Sequence, residues 1–156
     1  MTALFILGLV IVLTVILTLV AQILVSAARA KYKIIAPKTV GNDNFERAFR
    51  AHQNQLEANS LFIPLAFLQF FVLSELPSTV VYGKIDYYLI SIVLPLFLFS
   101  PNLAWLIGRS LYIYGYNVNA SKVKFIGGVS SGIALILIII MVIIGLILPF
   151  TTFYPR

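Results

Sequence analysis

The stretch Thr2-Ala-Leu-Phe-Ile-Leu-Gly-Leu-Val-Ile-Val-Leu-Thr-Val-Ile-Leu-Thr-Leu-Val-Ala-Gln-Ile-Leu-Val-Ser-Ala-Ala28 contains no charged side chain. A bilayer's hydrocarbon core is about 30 Å thick, and about 20 apolar residues in a helix cross it. This run is long enough to do so. Three more uncharged runs follow, Ala58 to Ser74, Tyr87 to Gly108 and Phe125 to Pro155. Transmembrane strands would alternate apolar and polar residues, and none of these runs does. The sequence therefore predicts an all-α integral membrane protein, a four-transmembrane-helix bundle.

Composition agrees. Of the 156 residues 61% are hydrophobic and 10% charged, with mean hydropathy +1.03. Soluble domains carry about 25% charged residues, and disorder needs low hydrophobicity, so both classes are excluded. Residues 1–156 read as a single membrane domain with no room for a separate soluble one. The chain has no cysteine and one histidine, His52. Disulfides, thiolate metal sites and cysteine nucleophiles are thereby removed, and no metal site is expected. The first run lacks a basic start and exceeds the apolar core of a signal peptide, so it reads as a retained span.

Breakers and caps predict helices over about 3–30, 44–74, 81–116 and 121–149, with Asp43 or Asn44 as the N-cap of the second. A turn is expected at Glu75-Leu-Pro-Ser78, and kinks at Pro95 and Pro101. Nine of the eleven Lys and Arg residues flank the first and third connections; only Lys84 and Arg156 do not. The positive-inside rule puts those connections in the cytoplasm and both termini outside, in the cytoplasmic membrane of a bacterium or the endoplasmic reticulum of a eukaryote. Topology and anionic membrane lipids account for the net charge of +6, and no nucleic-acid partner is expected.

In the second helix Arg47, Arg50, Asn54 and Glu57 fall within an arc of about 80° at 100° per residue. As an isolated pair, Arg50 and Glu57 would read as structural. Together with Asn54, they form a mixed donor and acceptor face suited to a small zwitterion.

The run Glu46-Arg-Ala-Phe-Arg50-Ala-His52-Gln-Asn54-Gln-Leu-Glu57 resembles the signature Glu-Arg-x-x-Arg-Ala-x-x-Asn-x-x-Glu of the MAPEG family, the membrane-associated proteins in eicosanoid and glutathione metabolism. The resemblance implies a homotrimer of four-helix subunits. It also implies glutathione, bound between subunits as co-substrate, and a lipophilic small-molecule acceptor arriving from the lipid. Arg50, Asn54 and Glu57 match glutathione-contacting positions, and His52 matches one beside them. Ala58 stands where several members have tyrosine.

Arg109, Tyr112 and Tyr116 share a helical face at i, i+3 and i+7. By themselves the tyrosines would read as an interfacial belt. The run Arg109-Ser-Leu-Tyr112-Ile-Tyr-Gly115-Tyr116, however, resembles the family's Arg-x-x-Tyr-x-x-Gly-Tyr motif, whose tyrosines hold glutathione. Ser26-Ala-Ala-Arg29 resembles a segment whose arginine assists chemistry from a neighbouring subunit; a lone arginine there also fits a snorkelling topology signal. One departure stands out. The family's thiolate-stabilising arginine of the fourth helix falls on Val123, and with a one-residue gap on Lys124.

The residues expected to hold glutathione are thus Arg50, His52, Asn54, Glu57, Tyr112 and Tyr116, and those expected to activate its thiol are Lys124, Arg109 and Arg29. The function expected is a glutathione-dependent transferase or peroxidase that conjugates or reduces lipophilic electrophiles. Its rivals are a non-catalytic lipid- or glutathione-binding protein of the same fold, and a small transporter. A transporter calls for an ionisable residue at the bilayer midplane, and spans one, three and four have none. Gly128-Val-Ser-Ser-Gly132 is a small-xxx-small pattern expected to bring the fourth helix close to a neighbour. Phe62, Phe67, Phe70 and Phe71 read as lipid-facing or packing groups.

Overall fold

In the computed structural model the backbone is described for residues 2–80 and 87–152, and side chains for 4–72 and 99–147. Four helices form: α1 (Thr2–Tyr32), α2 (Asp43–Val80), α3 (Tyr87–Asn117) and α4 (Ser121–Thr152). Three stretches within the described residues, Leu4–Tyr32, Asp43–Val72 and Ser121–Ile147, are long and apolar enough to cross a membrane. The structure is a four-helix bundle, as the sequence predicts. Lys84, Arg156 and the expected start of the third helix at Val81 lie outside the described residues.

Two local expectations are corrected. The N-cap of α2 is Asn42, whose Oδ1 accepts from the Asn44 and Phe45 amides at 2.9 and 3.4 Å. A cap side chain reaches amides two and three residues ahead, so Asn42, not Asp43 or Asn44, has the right offset. The turn at Glu75 to Ser78 does not form, because α2 continues to Val80. Pro77 forgoes only its own amide hydrogen bond, and the helix carries on around it. Pro95 and Pro101 lie within a continuous α3.

Both described connections leave their helices in the same way. The Ile34 amide donates to the Arg29 carbonyl (3.1 Å) and the Lys33 amide to that of Ala30 (3.4 Å), with Lys33 at φ 55°. Ala120 and Asn119 repeat this pattern onto Gly115 and Tyr116, with Asn119 at φ 56°. These are Schellman ends, which satisfy orphan carbonyls through one left-handed residue.

The pairings Thr18–Asn59, Asn54–Tyr112 and Gly115–Lys124 make successive helices antiparallel. The connections after α1 and α3 therefore share one end of the bundle. Lipid tails are as apolar as leucine, so membrane helices associate through close packing and interhelical hydrogen bonds. Both are present. A Cβ on Gly115 would sit 2.4 Å from the Lys124 amide nitrogen, and one on Gly127 would sit 2.5 Å from that of Tyr112. The tight seam between α3 and α4 thus runs through Gly108, Gly115 and Gly127. The expected pair does not make it: Gly132 faces open space, and Gly128 meets only the Tyr112 ring at 3.5 Å. One position along a helix turns a side chain by 100°, which moves the seam to Gly127.

Phe62 is fully buried and stacks on Trp105 with ring centroids 3.7 Å apart, whereas Phe67 and Phe71 are exposed. A polar ladder, fully buried at Gln55 and half-buried at Asn59 and Thr18, crosses the bundle. Arg109 Nε donates to Gln55 Oε1 (2.7 Å), Gln55 Nε2 to Asn59 Oδ1 (2.9 Å), and Asn59 Nδ2 to Thr18 Oγ1 (2.8 Å). A second set joins Asn102 to Gln69 (3.0 Å) and Gln69 to the Met141 sulfur (3.1 Å). Interhelical bonds of this kind contribute about 0.6 kcal/mol each on average.

Candidate functional site

At the end of the bundle that carries both connections lies a groove of about 340 Å³, within the usual range for small-molecule sites. Its walls are Thr39 and Val40 from the first connection, Tyr116 from α3, and Glu46, Phe49, Arg50, Gln53, Asn54 and Glu57 from α2. The α2 positions are spaced at i, i+3, i+4, i+7, i+8 and i+11, the pattern of one helix face. The opposite face of α2 buries Phe45, Ala48, Gln55, Phe62, Ala66 and Gln69. Burying that face fixes the rotation of α2 and turns the polar stripe outward.

Of the six residues expected to hold glutathione, Arg50, Asn54, Glu57 and Tyr116 line the groove. Tyr112 stands directly behind: its hydroxyl accepts from Asn54 Nδ2 at 2.9 Å, and its ring lies 4.9 Å from that of Tyr116. That bond orients the Asn54 amide from α3. His52 is half-buried and does not line the groove, since it is rotated by 160° from Arg50.

The three expected activators separate. Lys124 Nζ lies 4.6 Å from the centroid of the Tyr116 ring, a cation–π contact on a groove-lining side chain. Arg109 is buried. Its guanidinium lies 4.6 Å from the Tyr112 centroid, and its Nη2 has no partner. Arg29 is not at the groove surface; its Nη1 donates to the Lys38 carbonyl at 2.8 Å and its guanidinium lies over Phe45.

Arg47, counted in the sequence stripe, turns back to Asn44 Oδ1 and stays out of the groove. Sequence reasoning missed Thr39, Val40, Glu46, Phe49 and Gln53. Fitting the full helical-face template, instead of the charged residues alone, would have recovered the last three. Nothing in the sequence points to Thr39 and Val40, which arrive through the fold of the connection.

Comparison with known proteins turns on this same region. The MAPEG family model matches residues 7–83, covering α1, the first connection and α2 with its groove face. The chain belongs to the MAPEG family. Among its MAPEG-like relatives, an uncharacterised protein of Synechocystis is 34% identical over 106 residues, 68% of this chain and 63% of that protein. Human microsomal glutathione S-transferase 2 is 30% identical over 98 residues, 63% of this chain and 53% of that protein. The matched stretch thus spans less than two thirds of the length of either relative. Family membership and the apolar helices make this MAPEG chain an integral membrane protein.

Proposed function

We propose that the groove binds glutathione as co-substrate and that the protein is a transferase or peroxidase acting on lipophilic electrophiles. The carrying observation is that Arg50, Asn54, Glu57 and Tyr116 share one concave surface. Arg50 and Glu57 are seven residues apart, about 10 Å along the helix axis. Glutathione is a tripeptide with a carboxylate at each end and one ammonium group. A guanidinium fork takes a carboxylate, Glu57 takes the ammonium, and Asn54 with Gln53 supplies neutral donors between them. The 30% identity to a glutathione transferase supports the same ligand.

A free thiol titrates near ~8.5, and cationic neighbours lower that by up to several units. Lys124 and Arg109 are the activators proposed here, each one aromatic ring behind the groove. The thiol proton leaves to water at the groove mouth. The sulfur lone pair then forms an S–C bond with the acceptor, whose leaving group or π electrons take the displaced pair. The acceptor enters from the lipid.

Arg50 and Glu57 are exposed in the single chain, at the border of a membrane where open polar groups are costly. This supports a homotrimer in which a neighbouring subunit covers the groove. Native mass spectrometry of the detergent complex is expected to give three chains. The distribution of basic residues supports cytoplasmic first and third connections, with both termini on the other side.

One departure from the resemblance favours a second reading, a non-catalytic glutathione- or lipid-binding protein: counted without a gap, the family's activating arginine falls on Val123. Single-turnover conjugation decides between the two. Lys124→Met keeps the apolar stem and removes the charge. The conjugation rate is expected to fall at least tenfold, equivalent to about 1.4 kcal/mol. Lys122→Met, turned about 160° away, is expected to keep the wild-type rate. Wild-type protein that binds glutathione but shows no thiolate absorbance below about pH 8 would establish the non-catalytic reading.

A further inference from the structure

The segment 38–41 of the first connection is tied at both ends. At one end Arg29 Nη1 donates to the Lys38 carbonyl at 2.8 Å; at the other the Gly41 amide donates to Glu46 Oε1 at 3.0 Å. Between these ties lie Thr39 and Val40, which line the groove beside Arg50 and Glu57. The Arg29 anchor is itself held. Its guanidinium carbon sits 4.8 Å from the centroid of the fully buried Phe45 ring, and its own carbonyl accepts from the Ile34 amide at 3.1 Å. Gly41 has φ 138°, a backbone angle that side chains oppose, and a Cβ there would touch only Ile34 at 3.7 Å. The glycine is thus needed for conformation and not for space.

We propose that 38–41 is a clipped wall that retains glutathione in the groove, with Arg29 as the positioning residue of that wall and no part in thiol chemistry; this rests on the glutathione reading of the groove. A loop that must be ordered on binding subtracts from affinity, whereas one already fastened does not. The two clips do that fastening before any ligand arrives. Arg29 gives one donor to the Lys38 carbonyl, rests its guanidinium on the Phe45 ring and does not line the groove, a placement that serves the loop and not a sulfur. Loosening the wall therefore acts on ligand escape, the step through which most affinity differences arise.

The absence of cysteine allows a clean test. Lys38→Cys places a single nitroxide label on the wall, since Lys38 makes its hydrogen bonds through its backbone carbonyl and amide, and the protein is studied in lipid nanodiscs. Arg29→Met and Glu46→Ala are each expected to sharpen the label's spectrum. Glutathione affinity in both should fall roughly three- to tenfold through faster release, the cost of ordering one or two loop side chains. The bound thiol pKa should stay at its wild-type value. Glu46→Gln keeps an acceptor for the Gly41 amide and is expected to retain the immobile label. The double substitution Thr39→Gly, Val40→Gly leaves the clips intact but removes the wall's side chains, and should weaken binding with Arg29 untouched.

An immobile label in Arg29→Met overturns the proposal, as does a mobile label with unchanged affinity. A raised thiol pKa at unchanged affinity would return Arg29 to the chemistry and also overturn it. Wild-type protein that fails to bind glutathione while Arg29→Met still frees the label refutes the glutathione reading itself, and with it the wall's ligand.

Discussion

The two faces of α2 are built from similar side chains and do opposite work. The inner face carries Gln55, Asn59 and Gln69; the outer carries Gln53, Asn54, Arg50 and Glu57. On the inner face the amides donate and accept across the bundle, with Gln55 taking the buried Arg109 and Asn59 reaching Thr18. On the outer face, among the described residues, only Asn54 has a partner on another helix, the Tyr112 hydroxyl, while Arg50 and Glu57 are exposed. Polarity by itself therefore does not mark a site. What separates scaffold from site is whether hydrogen-bonding capacity is already spent within the chain.

The largest effect is expected where spent capacity is broken. Gln55→Leu deprives the buried guanidinium of Arg109 of its acceptor. Leaving a buried charged donor without its acceptor costs about 3 kcal/mol, read as loss of melting temperature in detergent. The double substitution Gln55→Leu, Arg109→Met removes both partners and should recover most of that loss. A single variant as stable as wild type would break the comparison on its inner side.

Next in size is the glycine seam. Gly127→Ala must displace the backbone of α3 and should destabilise by about 1–3 kcal/mol, in the range of overpacking. Gly132→Ala meets nothing in the single chain and should be neutral, or stabilising by up to about 1 kcal/mol from helix propensity. Loss of assembly in Gly132→Ala without loss of subunit stability would locate a neighbour on that face.

The outer face should behave differently. Arg50→Ala and Glu57→Gln remove side-chain groups that no other described residue uses, so stability should change by no more than about 0.5 kcal/mol. Asn54→Ala sharpens the contrast, because it removes both a groove donor and the bond to Tyr112. It should cost about 1 kcal/mol of stability as well as affinity.

How much of this was legible in the sequence follows from the same contrast. The helices were legible because uncharged runs of membrane length leave few alternatives. Arg50, Asn54, Glu57 and Tyr116 were legible because their spacing matches a helix face and a family signature. The rotation of α2 was not, since it depends on which amides are buried, and Gln55 and Gln53 look alike in sequence. Hence His52 was expected at the site and lies off the groove, while Gln53 and Phe49 were overlooked; Arg47 shares the stripe, but its side chain turns back to Asn44. The cap at Asn42 and the wall at Thr39 and Val40 depend on chain paths that hydrophobic periodicity does not encode. The glycine register failed for a simpler reason, as neighbouring Gly127 and Gly128 both fit a small-residue pattern.

The central claim is that the open face of α2 is the glutathione site, and calorimetric titration of the purified protein with glutathione tests it most directly. Wild-type protein should bind, and Arg50→Ala and Glu57→Gln should each weaken binding at least tenfold, about 1.4 kcal/mol, with melting temperatures unchanged. Gln55→Leu protein that remains folded should bind far closer to wild type than either. Unchanged affinity in both Arg50→Ala and Glu57→Gln would contradict the account.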